Sequence, residues 1–275
     1  MAEKRDDAPA PGEFYGPQYA RMGSKLASEI RREAFGEDIG QESWRSANEQ
    51  AEIAEMLALG PESRALDVAC GAGGPSLALA AKTGCRMTGV DIEPEGVAHA
   101  NALAKERGLA ERARFVALDC AGALPFEGAS FDAILCIDAI CHFPDRRAPL
   151  SEWRRLLRAG GRIVFTDPFV VTGPLAKREI DGRSALGDNL VFVPPGANED
   201  AIAAAGLRLL ARMDRADAVA AIASRWQGAR ERHSEILKRE EGEDWFDRRQ
   251  LMLATAANLG RERRLSRFLY LAEKS

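Results

Sequence analysis

The segment from Arg64 to Ser76 constrains this chain more than any other stretch. It reads RALDVACGAGGPS, an apolar run of strand length followed by clustered glycines, and a helical pattern follows at once. Gly71, Gly73 and Gly74 allow a sharp turn and a close approach of a ligand to the main chain. Pro75 suits a first helical position, where its missing N–H would be unpaired anyway. The segment predicts a strand, a tight turn and a helix start.

A second apolar run, from Cys85 to Val90, predicts another buried strand and ends in Asp91. Asp91 follows Gly71 by about twenty residues, the spacing at which a doubly wound sheet places the acid that binds ribose hydroxyls. The loop, the spacing and the acid together predict an adenosine-containing cofactor. A plain strand-to-helix turn is the alternative.

The loop does not match a dinucleotide fingerprint. Gly-x-Gly-x-x-Gly requires a third glycine for close helix packing, and Ser76 stands at that position. Asp67, inside the strand, would repel a diphosphate but attract an ammonium group. A cofactor with adenosine, no phosphate and an amino-acid tail therefore fits better.

These motifs resemble those of class I S-adenosylmethionine-dependent methyltransferases. Leu66–Pro75 resembles the first motif and Gly89–Ile92 the second, and three more follow in the family order: Leu118–Cys120 with Leu124–Phe126, Ser130–Ile134, and Leu156–Arg162. The resemblance covers residues 51–167 closely and the flanks loosely. It implies an α/β fold, a Rossmann-like seven-stranded mostly parallel sheet with helices on both faces, an N-terminal helical lid and an insertion after strand five. The implied cofactor is S-adenosyl-L-methionine.

The alternation of apolar runs and helical patterns predicts the order of the elements. Strands are expected near 64–70, 85–91, 112–118, 131–138 and 161–167. Residues 13–35 are expected to form one helix or two short ones, and further helices are expected near 45–59, 75–83, 94–107, 121–123 and 146–158. Beyond these we expect a helix at 197–205, a strand at 207–213, helices at 217–238 and 243–257, and a strand at 267–273. The predicted division is a disordered tail (1–12), a helical lid (13–60), a cofactor-binding core (61–167), and an insertion with the remainder of the core (168–275).

Charge and composition exclude several function classes. A net charge of −4 gives no electrostatic footprint for nucleic acid or an anionic membrane. No apolar run has membrane-spanning length, and the acidic, Pro-rich start is not a signal peptide, so we expect a cytoplasmic protein without membrane partners. The 5 cysteines form no Cys-x-x-Cys pair and the 3 histidines lie far apart, so no disulfide framework or metal site is expected. A monomer or homodimer is expected.

Ligands bind parallel sheets outside the carboxyl ends of the strands, which gives the rim residues expected roles. Asp91 should accept hydrogen bonds from the ribose hydroxyls, since its paired oxygens match a vicinal diol. Ile92 should pack on adenine. Asp119 should accept from the adenine amino group beside the Cys120 N–H, unless Asp119 caps a turn. The family resemblance implies that Ala69, Gly71 and Ile137 contact the methionine tail, with Gln41 and Trp44 closing over it or merely packing.

The segment after the fourth strand carries the sharpest catalytic candidate. Asp138–Cys141 lacks the Asn/Asp-Pro-Pro-aromatic pattern of nucleic-acid amino-methyltransferases, and so argues against a base-flipping enzyme. It resembles the segment of natural-product sugar O-methyltransferases and of phosphoethanolamine and sarcosine or dimethylglycine N-methyltransferases. In the sugar-modifying group a histidine at the place of His142 is a general base, and a structural role is the alternative here. Asp167 should orient His142, bind a cationic acceptor or cap a turn.

Two tyrosines on the leading helix, Tyr15 and Tyr19, should reach the acceptor pocket or serve as core aromatics. The sequence therefore predicts a methyltransferase that acts on a small-molecule acceptor by O- or N-methylation, with His142 as the base. An NAD(P)-dependent oxidoreductase and a catalytically silent adenosine-binding module are the alternative functions.

Overall fold

A seven-stranded sheet forms the centre of the computed structural model, which describes residues 18, 19, 21–187 and 190–275. The predicted tail over 1–12 and Tyr15 lie outside the described residues. The strands are β1 (Arg64–Val68), β2 (Arg86–Asp91), β3 (Ala113–Ala117), β4 (Phe131–Cys136), β5 (Leu157–Val171), β6 (Arg208–Asp214) and β7 (Leu265–Glu273).

The strand order is β3-β2-β1-β4-β5-β7-β6. Neighbours among β1 to β5 pair in parallel, and β7 runs antiparallel to both β5 and β6. The order reverses at β1, which has β2 on one side and β4 on the other. This is a topological switch point, where open parallel sheets bind ligands outside the carboxyl ends of their strands. The mostly parallel Rossmann-like fold is confirmed.

The helices of the described chain are α1 (Lys25–Phe35), α2 (Ala47–Met56), α3 (Gly74–Thr83), α4 (Pro94–Glu106), α5 (Arg147–Leu156), α6 (Lys177–Arg183), α7 (Ala197–Ala204), α8 (Ala216–Arg232), α9 (Ser234–Glu241) and α10 (Glu243–Arg261). Local sequence sets several starts. Ser46 caps α2, since its Oγ accepts a hydrogen bond from the Glu49 N–H at 3.2 Å. Within the described residues, no helix is both long and apolar enough to cross a membrane.

Side chains alternate between the two faces of the sheet and bury a core on each. Leu66 and Val68 of β1 pack with Trp153 of α5 on one face, and Ala65 packs with Ile53 of α2 and other residues on the opposite face. A third apolar cluster lies off the sheet, between the residues that precede β1 and helices α8 to α10. Its large members are Ile30, Phe35, Trp44, Trp226, Leu237 and Phe246.

Three predicted elements were wrong in detail. Residues 121–123 form a turn and not a helix, because Asp119 caps the chain there by accepting from the Ala121 N–H. The helix expected over 217–238 is broken at His233, whose φ of −110° leaves the helical region, and α9 then turns so that Leu237 reaches the third cluster.

The fifth strand was expected to stop before Pro168, since proline cannot donate to a sheet ladder. It continues to Val171 across a register shift between Asp167 and Val170. Proline is tolerated at such an irregularity, where its missing N–H interrupts no regular pair. The lid role of the residues before β1, and the division into four segments, stay predictions.

Candidate functional site

A cavity of about 460 Å³ opens at the carboxyl ends of β1, β2 and β4. This is the switch point of the sheet. The cavity brings together nine of the twelve residues that the sequence singled out: Tyr19, Ala69, Gly71, Asp91, Ile92, Asp119, Cys120, Ile137 and His142. The other three, Gln41, Trp44 and Asp167, do not line it.

The glycine loop between β1 and α3 is shaped by close packing. Gly71 has a φ of +56°, and its N–H donates to Asp91 Oδ2 at 2.7 Å. A Cβ at Gly73 would lie 2.5 Å from the Ala100 Cβ, and one at Gly74 would lie 2.8 Å from the Gly40 Cα. Real Cβ atoms do not approach so closely. The glycines therefore let the loop pack against α4 and the 36–44 segment while leaving backbone facing the cavity.

Asp91 is anchored by two backbone amides. Its Oδ2 accepts from Gly71 and its Oδ1 from the Glu93 N–H at 3.0 Å. Burial raises the pKa of the Asp91 carboxyl, and the two amide bonds oppose that rise. Each carboxylate oxygen keeps a further lone pair for a ligand. The Asp91 carboxylate is thus held rigidly at the rim and retains acceptor capacity.

The adenine-facing candidates lie on neighbouring loops. The side chain of Ile92 is 47% exposed, an unusual state for an isoleucine beside a buried strand, and it lines the cavity. Asp119 Oδ1 accepts from the Ala121 N–H at 2.9 Å, so the turn-capping alternative is observed, while the residue also lines the cavity. Burial raises the pKa of the Cys120 thiol to about 12. That thiol stays protonated at neutral pH.

A buried ion-pair network reaches the cavity at Asp138, which lines it. Arg267, with no exposed side-chain surface, donates to both oxygens of Glu49 at 2.7 and 2.9 Å and to Asp138 Oδ1 at 2.6 Å. Asp138 also accepts from the Thr166 hydroxyl at 2.8 Å and from the Trp44 N–H at 2.9 Å. It adopts a φ of +58°, which a non-glycine residue holds only when its surroundings enforce it. The network ties β4, β5, β7 and α2 together.

Arg45 contrasts with that network. It lines the cavity and is 5% exposed, yet its Nε and Nη1 atoms have no hydrogen-bond partner among the described residues. Burial lowers the pKa of its guanidinium, and the charges of Asp67, Asp138 and Glu49 oppose that change. A buried arginine without an acceptor needs one from a ligand or water.

Asp67 lies beneath the glycine loop. Its Oδ2 accepts from the Ser76 hydroxyl at 2.6 Å. Burial raises the Asp67 pKa to about 6, despite the opposing charge of Arg45. Ser76, which replaces the third glycine of a dinucleotide loop, therefore has a specific partner in the strand acid.

His142 ends a short 3₁₀ turn, Ile140–His142, that follows β4. It is an exposed residue that lines the cavity, where the other lining residues displace part of the water around its ring. The resulting loss of hydration lowers the pKa of its imidazole to about 4. At neutral pH the imidazole is therefore uncharged and has a nitrogen lone pair to accept a proton.

Tyr19 packs against the glycine loop and the start of α4. A Cβ at Gly71 would lie 3.1 Å from the Tyr19 hydroxyl, and one at Gly96 would lie 2.9 Å from the ring. Burial, with the nearby Asp91 charge, raises the pKa of the Tyr19 phenol well above its ordinary value. Tyr19 is therefore a neutral phenol that closes the cavity over the loop.

Comparison with known proteins decides the type of domain. Residues 66–165 match the family model described as a methyltransferase domain. A sterol 24-C-methyltransferase (ERG6B) of Gibberella zeae is 32% identical over 189 residues, covering 66% of this chain and 48% of that protein. A sarcosine/dimethylglycine N-methyltransferase of Halorhodospira halochloris is 32% identical over 134 residues, covering 48% and 47%. The chain thus spans about half the length of these relatives.

Residues 66–165 form a methyltransferase domain.

Solved structures share its fold. The cyclopropane synthase MmaA2 of Mycobacterium tuberculosis superimposes with a TM-score of 0.78 at 19% identity, covering 98% of this chain and 100% of that one. A phosphoethanolamine N-methyltransferase 2 of Haemonchus contortus, solved with phosphomonomethylethanolamine and S-adenosylhomocysteine, gives 0.77 at 17%, covering 94% and 60%. The resemblance to class I methyltransferases is confirmed, and the fold of the whole described chain is that of these proteins.

Three predicted site residues are buried in the protein and do not line the cavity. Gln41 is fully buried. Its side-chain oxygen accepts a hydrogen bond from the Ile39 N–H and its side-chain nitrogen donates one to the Glu37 carbonyl, each at 2.8 Å. The Trp44 ring packs edge-on against Trp226 at 6.1 Å, in the third apolar cluster. Both side chains follow the packing alternative considered for them.

Asp167, the third, is fully buried. Its Oδ2 accepts from Arg146 and Asn198, each at 2.9 Å, and its Oδ1 accepts from the Phe169 N–H at 3.0 Å. Arg146 in turn donates to the Val191 carbonyl at 2.8 Å. Asp167 therefore fastens the segment after β5 to the start of α5, and its carboxylate is already occupied.

Sequence reasoning missed Arg45, the most distinctive charge of the cavity. The signal was Asp67, since an acid inside a buried strand predicts a nearby cation. The sequence does not say which arginine supplies it, because 21 residues and α2 separate the two positions. The methyltransferase domain thus obtains part of its site from the residues before β1.

Proposed function

We propose that this protein is an S-adenosylmethionine-dependent methyltransferase acting on a small-molecule acceptor. The single observation that carries the proposal is the cavity in which the glycine loop, the Asp91 carboxylate and the Arg45 guanidinium converge at the switch point. Among the described residues, Nε and Nη1 of Arg45 have no hydrogen-bond partner. The methyltransferase domain supports it, and so does the failure of the dinucleotide fingerprint at Ser76.

The rim residues fit the adenosyl part of the cofactor. Asp91 would accept from the ribose hydroxyls with its free lone pairs. Ile92 would pack on adenine, and Asp119 with the Cys120 N–H would bind the adenine edge. Each of these residues lines the cavity, and the donor and acceptor types match the ligand.

The residues near the β1 end fit a methionine tail, which carries one carboxylate and one ammonium group. The guanidinium of Arg45 is the acceptor-seeking partner that a carboxylate requires. Asp67 lies close enough to raise the pKa of Arg45, and it would favour the ammonium group. Ala69, Gly71 and Ile137 would contribute backbone atoms and contacts along the tail.

The bound sulfonium supplies a methyl group whose departure leaves a neutral thioether. The chain's own task is then to orient the acceptor and to remove its proton. His142 would take that proton, because its imidazole is uncharged at neutral pH and faces the cavity. Tyr19 would form the wall against which the acceptor is positioned. O- or N-methylation fits this arrangement.

Calorimetric titration with S-adenosylhomocysteine, S-adenosylmethionine and NADH tests the proposal. We expect both sulfur ligands to bind and NADH to give no heat of binding. Transfer of a labelled methyl group to a metabolite panel then tests turnover. Binding of NADH alone would favour the oxidoreductase, and ligand binding without turnover on any acceptor would favour the silent module.

A further inference from the structure

A second cavity, of about 70 Å³, shares a wall with the first. Gln18, Met22 and Glu42 line both. From this wall the second cavity extends among side chains of α1 and of α8 to α10, including Arg31, Trp226, Arg230 and Arg249. A polar space of this size holds a few water molecules or one small oxyanion.

The lining of this second cavity contains several hydrogen-bond donors that have no acceptor among the described residues. Four of its side chains carry a buried N–H group without an acceptor among the described residues: Gln18 (Nε2), Arg31 (Nη1), Arg230 (Nε) and Arg249 (Nε). Among the described residues, no side chain of this lining has a buried acceptor atom without a hydrogen-bond partner. Buried unpaired donors are costly, so a guest here should bring acceptors only.

Three of the lining arginines are buried and ion-paired. Arg31, Arg230 and Arg249 are 5%, 4% and 7% exposed. Arg230 is paired with Glu241 and Arg249 with Glu42, while Arg31 is paired with Asp38 and its Nη1 lies 3.9 Å from Glu42 Oε1, beyond hydrogen-bond distance. The lining holds four arginines and three glutamates, and Asp38, the partner of Arg31, lies outside it. Burial and the adjacent Arg249 charge lower the pKa of Arg230 to about 10, so the Arg230 guanidinium stays charged at neutral pH.

The guanidinium groups are held in place before any ligand arrives. Arg249 lies over the Trp226 ring at 4.9 Å and Arg230 over the Phe246 ring at 5.3 Å. Arg249 also donates to Glu42 Oε2 at 2.6 Å and to Gln18 Oε1 at 2.7 Å. Planar guanidinium groups fixed in this way are suited to carboxylate and phosphate oxygens.

We propose that the second cavity binds one small oxyanion, a carboxylate or a phosphate group. The group has two possible sources, the anionic end of the methyl acceptor reaching across the shared wall, or a free anion. The first source rests on the proposed function, and the second does not. Both use the same donors.

Binding is measured by calorimetry with inorganic phosphate and with acetate on the full chain, with S-adenosylhomocysteine titrated in the same samples. Gln18→Leu removes one donor without changing charge. Arg230→Met with Glu241→Met removes an ion pair as a unit, so that no buried charge is left alone. Arg248→Met is the matched control, because Arg248 neighbours Arg249 on α10 but is 52% exposed and paired with Asp244.

We expect at least one anion to bind the unmodified chain, at least about tenfold weaker binding in both test variants, and no change in Arg248→Met. The absence of saturable binding, or equal binding in all variants, overturns the proposal. If the paired variant fails to fold, Gln18→Leu decides. Intact S-adenosylhomocysteine binding without anion binding rejects this inference alone and leaves the proposed function standing.

Inhibition kinetics separate the two sources once the acceptor is known. Phosphate or acetate that competes with the acceptor but not with the cofactor assigns the cavity to the anionic end of the acceptor. Inhibition or activation that does not compete with the acceptor assigns it to a free anion.

Discussion

The two ends of the first cavity are built in different ways. At the strand tips the main contact is local, because the Gly71 N–H reaches Asp91 only 20 positions along the chain, through one strand-loop-helix unit. At the other end distant segments hold the lining residues, as when Arg249 reaches Glu42 across 207 positions and Arg267 reaches Asp138 across 129. The first end follows from a motif, whereas the second depends on the folded arrangement of α1, α2, α8 to α10 and β7.

The local end is tested most severely by Asp91→Ala. If the proposed ribose role holds, the change removes two charge-assisted hydrogen bonds, each worth about 1.5–3 kcal/mol, and S-adenosylhomocysteine should bind about 10²–10⁴ times more weakly. Calorimetry measures the loss. Asp145→Ala is the control, since Asp145 also caps a backbone N–H, that of Arg147, but lies outside the cavity lining. Unchanged affinity in Asp91→Ala would remove the ribose role.

The second test concerns the base. His142→Ala should lower turnover about 10²–10⁴-fold while leaving S-adenosylhomocysteine affinity nearly unchanged, because a general base acts in the transition state and not on the bound cofactor. The assay uses the acceptor that the metabolite panel identifies. His233→Ala, at the break between α8 and α9, serves as the control.

The pH profile sharpens this test. The His142 pKa is lowered to about 4, so the proton-accepting form is fully present above about pH 5 and is lost as the pH falls through 4. Turnover limited by His142 should therefore be flat from about pH 5 upward and fall below it. If turnover falls with an apparent pKa near 6.5 and still does so in His142→Ala, a group other than His142 limits turnover, and the role of His142 as the base is contradicted.

The long-range end is tested first by stability. Arg267→Met leaves the buried Glu49 and Asp138 carboxylates without their cation, and should lower the free energy of unfolding by about 3–5 kcal/mol. Chemical denaturation measures the change. Arg212→Met, on the adjacent strand, removes an ion pair with Glu199 that is 50% exposed on the arginine side, and should cost about 0–1 kcal/mol. Equal losses in the free energy of unfolding would mean that the buried network stabilises the fold no more than an exposed ion pair does.

The contrast explains how far sequence reasoning reached. The loop from Gly71 to Gly74, the acid at Asp91 and the alternation of elements are local patterns, and they predicted the sheet and the part of the cavity lining that lies at the strand tips. The Pro168 irregularity was missed because a strand bulge depends on its pairing with a distant strand, here β7.

The placement of Gln41 and Trp44 shows the same limit. Both lie in the segment that was expected to reach the cofactor, and that segment does touch the cavity through Gly40, Ser43 and Arg45. Which side chain of such a segment turns inward depends on what packs behind it. Trp226, 182 positions away, packs against the Trp44 ring, which does not line the cavity.

The smallest expected effect separates Arg45 from Arg267. Arg45→Met removes a buried guanidinium whose Nε and Nη1 have no partner, so the free energy of unfolding should stay nearly unchanged or rise. Binding of S-adenosylhomocysteine should weaken about 10–100-fold, because its carboxylate loses a charge-assisted partner. Binding of 5′-methylthioadenosine, which has no amino-acid tail, should not change. Arg45→Lys, which keeps the charge, should recover part of the loss, and an equal loss for both ligands would show that Arg45 shapes the whole cavity instead of binding the tail.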